Sequence, residues 1–183
     1  ILGTVPEFVL TDQSGAALGT KQLASKVWIA NFMFTRCTAT CPAQTREMAA
    51  LQKKLKTHPL GDGIRFVSIS VDPEFDTHEV LSAYAEQYGA DTKTWSLLTG
   101  PREDIQQLSP KEVFLPINDS SAGGDTPITH SSKFVLVDAY RRIRGFYEAS
   151  AADERDKLLS DLEQVLAERK GVPPALFDTT WLE

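Results

Sequence analysis

The chain has two cysteines, four positions apart in Cys37-Thr38-Ala39-Thr40-Cys41-Pro42. They fall where a buried apolar run ends and helical spacing begins, so both thiols are expected at a helix N-terminus. The helix dipole there favours thiolate over thiol, and Arg36 pushes the same way. One or both cysteines are therefore expected to have a lowered pKa. A disulfide between them would close a loop of about five residues and contribute only ~2 kcal/mol in the chain-entropy model, so a structural staple explains the pair poorly. Redox or metal chemistry explains it better, and the spacing alone does not choose between them.

A third residue bears on that choice. Of the three histidines, His58 lies in the polar stretch Lys56-Thr57-His58-Pro59 and is expected at the surface. His78 falls in the first turn of a helix and is expected to face water. His130 stands just before a strand candidate at 134–138. In a mixed sheet that sets that strand beside the one carrying the cysteines, the imidazole could face the helix start. Two thiolates and an imidazole form a soft, low-coordinate set that suits Cu(I), and imidazole also suits Cu(II). Structural zinc normally takes four ligands, and the spacings match no zinc-finger pattern. Cys37, Cys41 and His130 are thus the candidate ligands, with copper as the candidate metal.

The elements that must position these residues alternate between two periods. Residues 8–10 form a short strand candidate, followed by a turn over 12–15. Residues 27–34 (VWIANFMF) are a near-continuous apolar run, as expected of a strand buried on both faces. Ala43, Met48, Leu51 and Leu55 then mark one side of a helix, with Pro42 suited to its first turn. Residues 66–71 form a second buried strand. Asp76 with Glu79 makes a capping-box-like helix start, Val80, Leu81, Tyr84 and Tyr88 form an apolar stripe, and Gly89 ends it. A strand at 95–98, a short helix at 102–108 and an irregular stretch at 109–129 follow. A hairpin through Ala139-Tyr140 and a closing helix with Leu158, Leu159, Leu162, Val165 and Leu166, capped by Asp153, complete the order. This is the order of an α/β, thioredoxin-like fold with a central mixed sheet flanked by helices. Residues 1–170 are read as one copper-binding domain, and 171–183 as a C-terminal tail ending in Leu182-Glu183 as a cloning remnant would.

The 183 residues suit one domain, and the 42% apolar fraction is ordinary for a globular chain. The net charge is −6, and the densest basic run, Arg141, Arg142 and Arg144, reads as a solvated strand face, so nucleic acid is not an expected partner. No stretch reaches the ~18 apolar residues of a membrane span. The chain begins at Ile1 rather than Met and reads as a processed or truncated soluble part.

In the cysteine pair with Pro42, in Val71-Asp72-Pro73-Glu74-Phe75-Asp76-Thr77, and in Thr129-His130-Ser131-Ser132 running into Phe134-Val135-Leu136-Val137-Asp138, the sequence resembles the Sco/SenC family of copper-binding, thioredoxin-fold proteins. The resemblance implies one copper ion, Cu(I) or Cu(II), on Cys37, Cys41 and His130. It also implies a metallochaperone that delivers copper to the binuclear centre of cytochrome c oxidase, or reduces the cysteines of that centre. The implied partner is the oxidase subunit carrying the centre, or another copper or thiol protein. Family members usually face the periplasm or the mitochondrial intermembrane space, tethered by an N-terminal helix, and a start at Ile1 fits a sequence truncated after such an anchor. Two departures stand out. Thr38-Ala39-Thr40 replaces the family's frequent Pro-Asp and apolar residue, and Thr129 replaces a common acidic residue. Both remove negative charge that could favour copper or guide a partner. The rival reading from the residues is a thiol–disulfide oxidoreductase in which Cys37 attacks and Cys41 resolves. A peroxiredoxin-like peroxidase ranks below it, because such an enzyme needs neither His130 nor the pair.

Overall fold

The computed structural model describes residues 1–59, 61–108 and 132–170. Its elements are β1 (Gly3–Thr4), β2 (Val9–Asp12), β3 (Ala17–Gly19), β4 (Val27–Met33), α1 (Cys41–Leu55), β5 (Ile64–Ser70), α2 (His78–Gln87), β6 (Trp95–Thr99), α3 (Arg102–Leu108), β7 (Lys133–Val137), β8 (Arg142–Glu148) and α4 (Ala152–Lys170). They build a thioredoxin-like fold around one sheet in the order β1-β8-β7-β4-β5-β6-β2-β3. The strands β4, β5 and β6 run parallel, and the others join antiparallel.

Every residue of β4 is buried, which is why its apolar run shows no alternation. Val27, Ile29 and Met33 face a core built with α1, α2 and α4, whereas Trp28, Ala30 and Phe32 face a second core with α3 and the N-terminal segment. Helices therefore cover both faces, as expected, but α3 alone covers the second among the described residues.

Strand register decides where chemistry can occur. Met33 pairs with Ser70 at the C-terminal ends of β4 and β5, so the loops that follow them meet. The antiparallel strand β7 starts beside the same end of β4, with Val135 opposite Ala30. Adjacent parallel-strand ends are where open α/β sheets place their sites.

Several local expectations change on contact with the rest of the chain. Ala43 is exposed, and the buried face of α1 instead carries Gln44 and Thr45. Both are polar residues with distant partners, the Lys133 carbonyl at 3.3 Å and the Tyr84 hydroxyl at 2.9 Å. Thr77, not Asp76, caps α2 by accepting the Val80 N–H. The helix α4 begins at Ala152, which puts Asp153 inside its first turn, where a carboxylate still suits the positive helix end. Gly89 takes the positive φ of a helix stop, at 67°. Arg142 and Arg144 do not form a merely solvated face, since both pair with Asp138 and Arg144 also pairs with Glu168. The irregular stretch expected at 109–129 and the tail expected at 171–183 lie outside the described residues.

Candidate metal centre

Past Met33 the chain leaves the sheet through Phe34, Thr35 and Arg36 and reaches Cys37. The Cys37 N–H donates to the Phe34 carbonyl at 3.2 Å, which closes a tight turn. Thr38, Ala39 and Thr40 are exposed, and α1 then begins at Cys41 with Pro42 in its first turn. The first N–H groups of a helix have no partner within it. Here the Cys37 sulfur accepts the Cys41 N–H at 3.5 Å. The two sulfur-bearing residues thus share the positive end of α1, in the dithiol form.

Their environments differ. Cys37 is half-buried at the rim of the main core, whereas Cys41 is fully buried within it. Burial pushes the Cys41 thiol far above the ordinary range. The Phe34 backbone pulls it down, but the neighbouring Cys37 sulfur and the charge of Asp76 add to the rise. The lowered pKa expected at a helix start therefore does not hold for Cys41. Desolvation of a thiolate in an apolar core outweighs the helix dipole.

The loop after β5 clasps the turn that carries Cys37. The Arg36 Nε and Nη2 donate to Asp72 Oδ2 at 3.0 and 2.6 Å, and the guanidinium stacks 4.4 Å from the Phe75 ring centroid. Asp76 accepts the Thr35 N–H at 3.1 Å, the Thr35 hydroxyl, and the Ser70 hydroxyl at 2.5 Å. The segment 71–77, singled out in the sequence only through a family resemblance, is thus the wall of the dithiol turn. The signal that points to it is two acidic residues flanking Pro73-Glu74-Phe75 at a strand end.

On the other side of the helix start a groove of about 600 Å³ runs between Thr40, Gln44, Glu47, Ser132 and Glu148. Ser132 donates to Glu148 at 2.7 Å, which fixes the entry to β7 at this groove. A smaller apolar gap of about 20 Å³ between Phe8, Trp28 and Val137 lies on the opposite face and carries no titratable lining.

His130 lies outside the described residues. His58 is not a surface residue: its Nε2 meets Glu163 Oε1 at 2.6 Å, with both side chains buried. His78 is partly exposed and pairs with Glu79 at 3.1 Å, as a solvent-facing residue does. Among the described residues no group of three His, Cys, Asp or Glu side chains is placed to hold a metal ion.

A sheet that ends its parallel strands at a dithiol, with one thiol half-buried and the other sealed, defines a thioredoxin-like dithiol protein. Residues 3–167 match the model of the SCO1/SenC family, and the chain belongs to that family. It is 33% identical over 160 residues to an SCO1 protein homolog of Bacillus subtilis, covering 87% of this chain and 81% of that protein. A crystal structure of a SCO1/SenC family lipoprotein from Bacillus anthracis superposes with a TM-score of 0.79 at 34% identity, over 91% of this chain and 96% of that one. BsSco, described as a member of the Sco family of cytochrome c oxidase assembly proteins with a disulfide switch, matches with a TM-score of 0.76 at 28% identity over 90% and 94% of the two chains. ScoI of Bradyrhizobium japonicum, solved with copper bound, matches with a TM-score of 0.69 at 25% identity over 88% and 99%.

Proposed function

We propose that this protein is a copper metallochaperone that holds one copper ion on Cys37, Cys41 and His130 and serves assembly of the copper centre of cytochrome c oxidase. The observation that carries the reading is the reduced pair itself, with the Cys37 sulfur 3.5 Å from the Cys41 nitrogen at one helix start. Two adjacent sulfurs, one shielded from water, are a donor set for a soft ion such as Cu(I). A coordinated thiol loses its proton outright, so a cation overrides the burial that keeps Cys41 protonated. Copper uptake should then release protons and weaken at low pH. The β7 entry supports His130 as the third donor. Ser132 lines the same groove as Thr40, and the Gln44 amide holds the Lys133 carbonyl at 3.3 Å. Copper-bound and oxidase-assembly relatives support the cargo and its destination.

In this reading Cys37 is the exchange point. Its exposed flank, Thr38 to Thr40, leaves a partner thiol room to reach the ion, whereas Cys41 holds from below. The site would work outside the cytoplasm, in the periplasm or intermembrane space, on a protein anchored to the membrane.

Copper counted per chain tests the proposal. Reduced wild type should retain about one copper, Cys37→Ala/Cys41→Ala none, and His130→Ala far less than wild type. Retention by the double variant, or none by reduced wild type, would remove it.

The unequal burial of the cysteines favours one second reading, a thiol–disulfide oxidoreductase in which Cys37 attacks a partner disulfide and Cys41 resolves the mixed disulfide. His130→Ala separates the two, because dithiol exchange should persist in that variant.

A further inference from the structure

The Asp76 carboxylate is completely buried, and its three side-chain hydrogen bonds reach back to the strand ends below the dithiol. It takes the N–H and the hydroxyl of Thr35 and the hydroxyl of Ser70. All three groups act as donors. A carboxylate presents about four lone-pair sites and no proton, so it can accept from all of them, whereas an amide has one acceptor oxygen and would force at least one of these groups out of its donating role. Its own helix does not need it, since Thr77 caps α2. A buried carboxylate is a costly group, and this one serves the turn that carries Cys37.

That turn is gripped on both sides. Thr35 is fixed to Asp76 through backbone and side chain, and two residues later the Cys37 N–H returns to the Phe34 carbonyl at 3.2 Å. We propose that Asp76 is a positioning residue for the dithiol: through Thr35 it holds the 34–37 turn so that the Cys37 sulfur stays over the Cys41 amide and within reach of Cys41. This rests on the reading of Cys37 and Cys41 as the working pair. Pre-organisation of this kind raises the effective concentration of one thiol at the other. Releasing Thr35 therefore disfavours the intramolecular disulfide.

The test is the exchange of the copper-free protein with glutathione disulfide. The two thiols lose two electrons and two protons to form one S–S bond, and one glutathione disulfide becomes two glutathione thiols. Wild type, Asp76→Asn and Thr35→Val are equilibrated in glutathione buffers, trapped, and the oxidised fraction is read by mass. The disulfide of Asp76→Asn should be about tenfold easier to reduce, equivalent to about 30 mV for this two-electron couple. Thr35→Val should move at least threefold the same way, and it decides alone should Asp76→Asn fail to fold. Equilibria within twofold of wild type in both would make Asp76 a fold staple and overturn the proposal. So would an equal shift in Ile105→Val, which loosens the core on the opposite face of the sheet. These shifts, together with a wild type that takes up no copper, would support this proposal while removing the copper reading.

Discussion

Arg36 grips Asp72 through two nitrogens, with Nε at 3.0 Å and Nη2 at 2.6 Å from the same carboxylate oxygen. The acid is buried, with 6% of its side chain exposed, whereas the guanidinium is 54% exposed and lies over Phe75. The pair joins the residue before Cys37 to the loop after β5. It exists because Met33 and Ser70 end their strands in register.

Arg36→Ala should cost about 1–2 kcal/mol, since it strips a buried acceptor of its charged donor while the lost cation was half in water. Arg36→Lys should recover part of this and no more, because an ammonium cannot reproduce the planar guanidinium contact. Urea unfolding of the reduced protein measures both. An Arg36→Ala variant as stable as wild type would show that the Asp72 loop is held by its backbone alone.

Burial and the bond to Glu163 make His58 a second point of leverage, at the far end of α1 from the cysteines. Glu163 Oε1 takes His58 Nε2, and its Oε2 has no partner among the described residues, so the contact is tight but incompletely satisfied. Glu163→Ala should destabilise the protein by about 2–3 kcal/mol by taking the carboxylate away from a buried imidazole nitrogen, and Glu163→Gln by less. Thermal unfolding with unchanged copper content per chain is the expected result. A loss of copper in Glu163→Ala would instead tie this end of α1 to the site.

Stability should fall at both pH extremes, for opposite reasons. Burial, and then the bond to Asp161, hold the Tyr147 phenol above its ordinary range, and burial does the same to Tyr84 against the pull of Thr45. The folded state keeps these protons where the unfolded chain has released them, so their contribution is complete below about pH 10 and fades above it. At the acid end burial works against the Asp138 charge, but the backbone and guanidinium of Arg142 and the Tyr140 N–H outweigh it and depress the carboxyl. That contribution is present above about pH 4 and lost as pH falls further. Urea midpoints across pH should show both declines. Tyr147→Phe should flatten the alkaline side and Arg142→Ala the acid side, and unchanged slopes would contradict the assignment.

Much of the scaffold is local and could be read from residue order. The unbroken apolar run of β4, Pro42 at the first turn of α1, Gly89 after α2 and the five buried aliphatic residues of α4 all sit as their spacing implies. The cysteine pair at a strand-to-helix junction is local in the same sense, since four residues of chain leave it few other places to go. The fold order follows from these periodicities.

Partners far along the chain settled the rest. Asp76 reads as a helix cap until Thr35, 41 residues earlier, is brought against it. His58 reads as a surface residue until Glu163, 105 residues later, packs onto it. Cys41 reads as an acidified thiol until α1 presses it into the core, where losing water costs more than the helix dipole returns. Periodicity encodes which face a residue turns inward. Desolvation and hydrogen-bond pairing depend on what meets that face, and that is fixed only when the strands choose their register.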